Sequence, residues 1–309
     1  MKFLKPKFWD KRQISLYAIC LSPIALIIQQ INFIKQLVIK NEKFSIPIIC
    51  VGNIYLGGTG KTPLSSEIFS IIKNLNKKPI FIRKKYNSFQ DEINLLQQIG
   101  PTYVKSKRIY ALNEAIKDKF EVAILDDGFQ DFSIKKDLSI ICFNEKQWIG
   151  NGFLIPAGPL RESLSALKRA NCVIINGKKN IDIENKILKL NKLIKIFYSK
   201  YKFQNIDIFK YKKIITFAGI GNPDNFFDML QENKINILKK IKFPDHYNFS
   251  KKELDNLIKQ AKNNNAILLT TEKDYLRIDE NYRENIKYVK INVEIENRKE
   301  FIEVIKKII

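Results

Sequence analysis

The sequence predicts the α/β fold class, with a mainly parallel sheet flanked by helices. From Ile46 to about residue 205, short apolar runs typical of buried strands alternate with stretches of helical spacing. Such alternation is typical of parallel strands joined by helical crossovers. It stops in a stretch rich in Lys and Tyr that ends near residue 212, and then resumes. We therefore predict a first domain over residues 1–205 and a second, smaller α/β domain over residues 206–309.

The N-terminal segment, residues 1–40, precedes this alternation and is predicted to be helical. Residues 14–28 are almost wholly apolar but contain Ser22-Pro23, and residues 31–38 have helical spacing. A spanning helix needs about 20 apolar residues, so we expect no transmembrane helix. Beside Trp9 and several lysines, the segment fits a helix in the lipid headgroup layer as well as a core helix at the edge of the domain.

The other elements follow from the same two patterns, taken in chain order. In the first domain the predicted strands are 46–51, 79–83, 121–125, 138–143 and 172–176, and the predicted helices are 62–75, 91–99 and 183–193. In the second domain the predicted strands are 213–218, 235–241, 266–270 and 288–293, and the predicted helices are 225–232, 251–262 and 298–307.

The net charge of +22 points to an anionic partner, either nucleic acid or an acidic membrane surface. The chain has no compact patch of arginine and aromatic residues and no zinc-finger or RRM pattern. Lys, Ile and Asn are abundant together, so part of the charge is explained by a genome rich in A and T. We expect an anionic membrane surface as a partner, no nucleic acid, and no obligate protein partner.

The four cysteines indicate a reducing compartment. Cys20, Cys50, Cys142 and Cys172 are far apart and form no C-x-x-C pair. This spacing predicts neither a zinc site nor a disulfide framework. The first apolar run is not followed by a small-residue cleavage site, so we expect no cleavable signal peptide.

A glycine-rich loop lies between the strand that ends near Val51 and a helix that begins with Lys61-Thr62. Gly57, Gly58 and Gly60 leave backbone N–H groups free to converge on an anion, and the helix N-terminus adds its positive end. Lys61 can reach the β- and γ-phosphates, and Thr62 offers a hydroxyl to Mg²⁺. The pattern G-x-x-x-x-G-K-[ST] is incomplete, because Tyr55 replaces its first glycine. The loop still predicts a nucleoside triphosphate site and a P-loop NTPase-like sheet.

Two further segments carry candidate metal and phosphate groups. Asp126-Asp127 end a predicted strand and can hold Mg²⁺ opposite the phosphate loop, although a capped turn at Asp127-Gly128 is the alternative. The turn 156–162 delivers Arg161, which can neutralise phosphate charge, and Glu162, which can complete the metal shell. On its own, this turn also fits an ordinary helix start.

His246 is the only histidine and follows Asp245. A lone histidine is more often structural than catalytic, but an aspartate and aromatic neighbours can tune it near neutral pH. Segments 217–223 and 270–274 are further candidate cleft loops.

Together these segments resemble the tetraacyldisaccharide 4′-kinase family, the lipid A 4′-kinases of Gram-negative bacteria. The resemblance rests on six ordered motifs, which are 51–53 with 57–63, 126–130, 156–162, 217–223, 243–246 and 271–274. It implies ATP as donor, Mg²⁺ as cofactor, and a P-loop domain with a smaller α/β domain. It implies transfer of the γ-phosphate to the 4′-hydroxyl of tetraacyldisaccharide 1-phosphate, which forms lipid IVA. It also implies a monotopic protein on the cytoplasmic face of the bacterial inner membrane, and so favours a membrane-associating segment at residues 1–40.

The resemblance also implies roles for single residues. The catalytic set becomes Asp91, His246, Lys61 and Arg161, with Asp91 as base paired with His246. The metal set becomes Thr62, Asp126, Asp127 and Glu162. The nucleotide-binding set becomes Asn53, Gly57, Gly58, Thr59, Gly60, Lys61, Thr62 and Pro63.

Two departures and two rival functions remain. The family's Ser-Arg-Gly-Tyr-Gly turn is replaced by residues 82–87, which lack both glycines, and Asp91-Glu92 lacks the proline that normally follows. Both changes affect the acceptor side. A membrane-associated switch ATPase of the partitioning type has a similar loop but places Lys where this chain has Leu56. A polybasic membrane-binding protein with a decayed nucleotide site is the other rival.

Overall fold

The computed structural model describes residues 5–11, 13–86 and 90–309. The chain divides into two compact units, and neither is continuous in sequence. The larger unit comprises Lys5–Lys85, Ile99–Lys200 and Val293–Ile309. The smaller unit comprises Tyr86, residues 90–98 and Tyr201–Asn292. The predicted domains, 1–205 and 206–309, are continuous and differ from these units in three places. Tyr86 with residues 90–98, and residues 201–205, belong to the smaller unit, and residues 293–309 belong to the larger one.

The larger unit contains an eight-stranded sheet in the order β12-β7-β6-β5-β1-β4-β2-β3. Its strands are β1 (Ile48–Gly52), β2 (Pro79–Lys84), β3 (Thr102–Lys105), β4 (Val122–Asp126), β5 (Leu138–Asn144), β6 (Cys172–Asn176), β7 (Lys195–Phe203) and β12 (Ile291–Ile295). The pairs from β7 to β3 are all parallel. Residues of β1 and β4 are buried throughout, which explains their continuous apolar runs. This confirms the predicted fold class.

The helices of the larger unit are α1 (Leu16–Val38), α2 (Lys61–Asn74), α4 (Arg108–Lys117), α5 (Ile181–Leu190) and α10 (Arg298–Lys306). Three short 3₁₀ helices, Lys7–Trp9, Leu164–Arg169 and Ile206–Phe209, also occur along the chain. The sequence did not predict β3, α4 or β7. β7 reads Lys-Ile-Phe-Tyr-Ser-Lys-Tyr-Lys-Phe, and its lysines gave it the appearance of a polar boundary segment.

The C-terminal residues join the larger unit because β12 pairs with the edge strand β7. The backbone N–H of Glu296 donates to the carbonyl of Tyr198 at 2.8 Å. Arg298, at the start of α10, donates to Glu67 of α2 at 2.8–2.9 Å. The single strand predicted over 288–293 is in fact two strands, and only the second belongs to this sheet.

The smaller unit contains a four-stranded parallel sheet in the order β11-β10-β8-β9. Its strands are β8 (Lys213–Ala218), β9 (Asn236–Lys242), β10 (Ile267–Thr271) and β11 (Ile286–Val289). Its helices are α6 (Pro223–Glu232), α7 (Lys251–Asn263), α8 (Glu272–Arg277) and α9 (Glu280–Arg283), together with most of α3 (Gln90–Ile99). Apolar side chains cover both faces of the sheet.

Helix α1 confirms a helix in the N-terminal segment and runs on through Ser22-Pro23, which interrupt the apolar run of the sequence. Pro23 has no N–H to offer the carbonyl of Ile19, and the Ser22 hydroxyl donates to that carbonyl instead, at 2.7 Å. The helix therefore continues for 23 residues. Among the residues that the structure describes, it is the one helix long and apolar enough to cross a membrane, by length and composition alone. A buried core helix or a signal sequence meets the same criterion, but only 11% of its most apolar stretch is buried.

Trp9 is not an exposed membrane anchor. It is fully buried, and its indole N–H donates to the carbonyl of Pro156 at 3.1 Å. The backbone carbonyl of Trp9 accepts from Asn151 at 2.8 Å. The aromatic residue that the sequence associates with a membrane surface is thus part of the core of the larger unit.

Candidate active site

The glycine loop lies between β1 and α2, as predicted. Gly57 and Gly60 have φ of +128° and +91°, in the left-handed region that favours glycine. α2 begins at Lys61, whose side chain is mostly buried, and Thr62 follows it in the first turn. The N-terminus of a 14-residue helix therefore faces the loop. This arrangement can bind a phosphate group.

Asn53 lies inside the loop. Its side-chain amide donates to the carbonyl of Tyr55 at 2.6 Å and to the hydroxyl of Thr59 at 2.9 Å. Its side-chain oxygen accepts from Arg161 at 3.0 Å. Asn53 is fully buried. These contacts use its side chain to fix the shape of the loop.

Tyr55 occupies the position of the missing glycine and is also fully buried. It packs with Ala25 of α1 and with Leu154 and Leu160. Its hydroxyl donates to Asp10 at 2.6 Å and contacts Lys5. Burial, together with the Asp10 carboxylate, raises the pKa of Tyr55. The loop accommodates a large side chain here because that side chain lies in an apolar cluster of its own.

Asp126 and Asp127 follow each other at the end of β4 but have different surroundings. Asp126 is fully buried, forms an ion pair with Arg83, and accepts from the hydroxyl of Ser65 at 3.0 Å. Asp127 adopts a left-handed backbone, with φ of +55°. One of its oxygens lies 2.6 Å from Arg161 and 3.8 Å from Lys61.

The charge of Asp127 is strongly stabilised. Burial alone would raise its pKa, but the positive charges of Lys61 and Arg161 outweigh burial and lower the pKa to about 2. Because Val51 in β1 is paired with Asp126 in β4, the carboxyl ends of these neighbouring strands bring the glycine loop and Asp127 to one edge of the sheet. The predicted meeting of the loop with the acidic strand end is confirmed by this geometry.

The turn that carries Arg161 and Glu162 runs alongside the glycine loop. The N–H of Arg161 donates to the carbonyl of Ile54 at 2.7 Å, and the N–H of Leu56 donates to the carbonyl of Pro159 at 2.8 Å. These bonds fix Arg161 beside Asn53 and Asp127. The turn is therefore a structural partner of the loop and not an ordinary helix start.

Glu162 is mostly buried and held by two donors. It accepts from the amide of Gln130 at 2.9 Å and from the guanidinium of Arg169 at 2.9 Å. Gln130 also donates to the carbonyl of Asn53 at 2.9 Å. The sequence did not predict Arg83 or Arg169 as partners of the acidic residues.

These contacts limit the predicted metal shell of Thr62, Asp126, Asp127 and Glu162. In the described ranges 5–11, 13–86 and 90–309, no three His, Cys, Asp or Glu side chains are grouped so that they could hold a metal ion. Asp126 and Glu162 are engaged by Arg83 and Arg169. The expected three-carboxylate shell is therefore not preformed. Asp127 is also paired with cations, but its contacts with Arg161 and Lys61 both use Oδ1. Mg²⁺ is often held by one or two carboxylates together with substrate phosphates, so Oδ2 of Asp127 and the Thr62 hydroxyl offer a fitting donor set.

Asp91 and His246 come together in the smaller unit. Oδ1 of Asp91 lies 3.2 Å from Nδ1 of His246. Asp91 is 3% exposed and lies in the first turn of α3. Burial by itself would raise the pKa of Asp91, but the hydrogen bond with His246 and the charge of Arg277 outweigh it, so the pKa is lowered. Asp91 is thus a buried carboxylate that is ionised at neutral pH.

His246 has a left-handed backbone, with φ of +53°, a conformation uncommon outside glycine. Its N–H donates to the carbonyl of Gly219 at 3.0 Å. The neighbouring Asp245 accepts from that same N–H at 3.0 Å, while its carboxylate is 3.8 Å from the imidazole. The closer side-chain partner of His246 is therefore Asp91.

The predicted cleft loops 217–223 and 270–274 also meet. The N–H of Gly219 donates to both oxygens of Asp274 at 3.1 Å, and the Thr271 hydroxyl donates to Asp274 at 2.7 Å. The altered turn at residues 82–87 is only partly described, because Asn87 lies outside the described residues.

A family model described as tetraacyldisaccharide-1-P 4′-kinase matches residues 17–309. A tetraacyldisaccharide 4′-kinase of Pelagibacter ubique is 46% identical over 305 residues, which cover 97% of this chain and 96% of the relative. One of Rickettsia bellii is 36% identical over 296 residues, with 90% of each chain covered.

A solved structure of LpxK from Aquifex aeolicus, described as an "apo" form in complex with ATP, has the same fold. The TM-score is 0.73 at 24% identity, and the match covers 95% of this chain and 99% of that one.

Proposed function

Because the chain belongs to the tetraacyldisaccharide-1-phosphate 4′-kinase family, a kinase family of lipid A biosynthesis, we propose that its glycine loop binds ATP and that Asp91, with His246, activates the 4′-hydroxyl of the disaccharide. In the reaction, the γ-phosphoryl group leaves the β-phosphate oxygen of ATP and bonds to the 4′-oxygen. The hydroxyl proton passes to Asp91, and ADP leaves.

The donor side rests on one observation, the convergence of Lys61, Arg161 and Asp127 at the N-terminus of α2. Lys61 and Arg161 are two cations fixed in front of a helix N-terminus, where a triphosphate is stabilised. Phosphoryl transfer depends mainly on positioning and on neutralising charge on the transferred group. We assign Lys61 to the phosphates and Arg161 to the charge that develops during transfer. The ATP named for the A. aeolicus relative supports ATP as the donor.

Mg²⁺ would be held by the hydroxyl of Thr62 and the carboxylate of Asp127, with phosphate oxygens as further ligands. When bound, it would neutralise charge on the phosphates. Asp126 and Glu162 are not direct ligands in this proposal, since they form ion pairs with Arg83 and Arg169. Asn53 keeps the loop in shape through its contacts with Thr59 and Arg161.

On the acceptor side, Asp91 accepts the proton of the 4′-hydroxyl as the new bond forms. A general base must be unprotonated at the working pH, and the lowered pKa of Asp91 meets this requirement. His246 orients the carboxylate through the 3.2 Å contact between Nδ1 and Oδ1. The left-handed backbone of His246 is consistent with such a role, because strained residues often lie at functional sites.

We further propose that α1 lies on the cytoplasmic face of the inner membrane, where the lipid substrate is found. Most large apolar side chains of α1 are exposed, including Leu16 at 75% and Val38 at 76%. A helix with such a surface binds in the headgroup layer, and a strongly basic protein is attracted to anionic lipids. Only Ala18 and Ala25 of α1 are buried.

The test is a transfer assay. Purified protein is incubated with γ-labelled ATP, Mg²⁺ and tetraacyldisaccharide 1-phosphate in detergent, and the lipids are separated. We expect labelled lipid from the native protein, and a large loss with Lys61→Ala or without Mg²⁺. Hydrolysis of ATP with no labelled lipid would instead support the switch ATPase. Bound ATP with neither hydrolysis nor transfer would support a decayed site, and either result would refute the proposal.

A further inference from the structure

Arg277 is a buried cation for which the proposed reaction has no assigned role. Its side chain is 8% exposed. Nε lies 3.4 Å from Oδ2 of Asp91, one terminal nitrogen donates to the carbonyl of Gly219 at 2.9 Å, and the other lies 3.1 Å from Asp274. A buried charge is stable only when it is well paired, so these partners fix the guanidinium.

The two oxygens of Asp91 face different partners. Oδ1 faces His246 and Oδ2 faces Arg277. Oδ2 is buried and has no hydrogen bond within the described part of the chain, so its contact with Arg277 is an electrostatic one between buried groups. Arg277 thus limits the rotation of the carboxylate.

Gly219 links Arg277 to His246. Its carbonyl accepts from the Arg277 guanidinium at 2.9 Å and from the His246 N–H at 3.0 Å. Its own N–H donates to Asp274, which lies beside Arg277. A Cβ at Gly219 would lie 3.1 Å from the carbonyl of Pro244 and 3.2 Å from Asp274, so glycine suits this close approach. The Arg277 guanidinium and the backbone N–H of His246 are therefore bound to the same carbonyl, that of Gly219.

We propose that Arg277 is a positioning residue for the phosphoryl transfer, which holds the Asp91 carboxylate against the His246 imidazole. The inference rests on the proposed role of Asp91 as the base. Arg277 is the last residue of α8, a helix of six residues, and it lies outside the 270–274 segment that the sequence indicated as a candidate cleft loop.

The charge of Arg277 has a second effect on Asp91. The titratable and charged groups that act on this carboxylate are His246, Arg277, Lys273 and Asp274. Glu92 and Asp245 act on Lys273. Burial raises the pKa of Asp91, and after the hydrogen bond with His246 the charge of Arg277 is the main influence that lowers it. Lys273 adds a smaller influence and forms its own ion pair with Glu92 at 2.7 Å. Without Arg277, the pKa of Asp91 should rise.

The experiment compares Arg277→Gln and Arg277→Lys with a matched control, Arg283→Gln. Arg283 donates to the carbonyls of Leu276 and Ile278 and pairs with Glu280, so its removal perturbs the same region. For each protein we measure kcat, the KM for ATP, and the pH profile of kcat/KM for the disaccharide.

We expect Arg277→Gln to lower kcat about 10-fold or more, with the KM for ATP nearly unchanged, and to move the acid limb of the profile to higher pH. Arg277→Lys keeps the charge, so its acid limb should stay near that of the native protein while kcat recovers in part. Arg283→Gln should leave the acid limb in place.

The outcomes separate this inference from the proposed function. Native turnover by Asp91→Asn would refute the proposed base itself. If Asp91→Asn is inactive but Arg277→Gln keeps the native acid limb, Arg277 is only structural and the inference is overturned. If Arg277→Gln does not fold, Arg277→Lys decides: a lower kcat at unchanged KM for ATP supports positioning, and a native kcat overturns it.

Discussion

Oδ1 of Asp91 lies 3.2 Å from Nδ1 of His246, although 155 residues separate them in sequence. Both residues belong to the smaller unit, because residues 90–98 join it. The contact is thus internal to one compact unit. Its geometry depends on the packing of α3 against the loop after β9.

Replacing either member of this pair should lower turnover without weakening ATP binding. We expect Asp91→Asn to lower kcat by about 10²–10⁴-fold, the usual contribution of a general base. His246→Gln should lower it less, because the carboxylate remains. Steady-state kinetics give kcat and the KM for ATP.

The matched control is Asp245→Asn, whose carboxylate lies 3.8 Å from the same imidazole. It should retain most of the native kcat. Equal losses in His246→Gln and Asp245→Asn would show that the histidine acts through general electrostatics and not through Asp91.

Asp127 should stabilise the larger unit in a pH-dependent way. Its pKa in the folded protein is about 2, below the ordinary value of 3.8. The contribution is therefore fully present above about pH 4 and is lost as the pH falls through about 2, and it amounts to about 2 kcal/mol. Trp9 and Trp148 both lie in the larger unit, so tryptophan fluorescence during urea unfolding reports on this unit.

Asp127→Asn should lower the free energy of unfolding at pH 7, and the difference from the native protein should shrink towards pH 3. Glu114→Gln is the control, because Glu114 pairs with Lys105 at the exposed surface of the same unit, where ion pairs contribute little. A constant difference between pH 7 and pH 3 would contradict the assigned cause.

Restoring the glycine of the loop pattern should harm the protein. Tyr55→Gly removes a fully buried aromatic side chain and should cost about 3–5 kcal/mol of unfolding free energy. Tyr55→Phe removes only the hydroxyl that donates to Asp10 and should cost about 1 kcal/mol. Leu56→Ala, next in the loop and 37% exposed, serves as the control and should cost little. Native stability of Tyr55→Gly would mean that this cluster contributes nothing.

The exposed face of α1 should control membrane binding. Ile27 and Ile34 are 60% and 56% exposed, and they lie seven residues apart on one face. Ile27→Lys with Ile34→Lys should weaken binding to vesicles of phosphatidylethanolamine and phosphatidylglycerol by at least about 10-fold, since burial of each isoleucine contributes about 1.5–3 kcal/mol. The melting temperature should not change. Flotation of the vesicles measures binding.

The matched control adds the same charges at exposed polar positions, as Gln29→Lys with Gln36→Lys. It should bind anionic vesicles at least as well as the native protein. If both double variants bind as the native protein does, another surface carries the membrane contact.

The sequence was most informative where a site is made of consecutive residues. The glycine loop and the first turn of α2 are local, so their residues alone predicted the phosphate-binding geometry. Asp127 could be placed beside the loop because the carboxyl ends of neighbouring parallel strands share an edge. The same reasoning could not find Arg83, which lies 43 residues from its partner Asp126, or Arg277, because no pattern links such distant residues. In α1 the sequence predicted a helix, but it could not show that the Ser22 hydroxyl takes up the Ile19 carbonyl beside Pro23.

Because the larger unit is discontinuous in sequence, one of its segments is synthesised after the smaller unit. A ribosome releases residues from the N-terminus, so Tyr201–Asn292 emerges before Val293–Ile309. The edge strand β7 remains without β12, and α10 is missing, until the last residues of the chain appear. The smaller unit has all of its residues available first. A chain truncated after residue 292 should therefore protect the four-stranded sheet from protease while β7 is still cleaved.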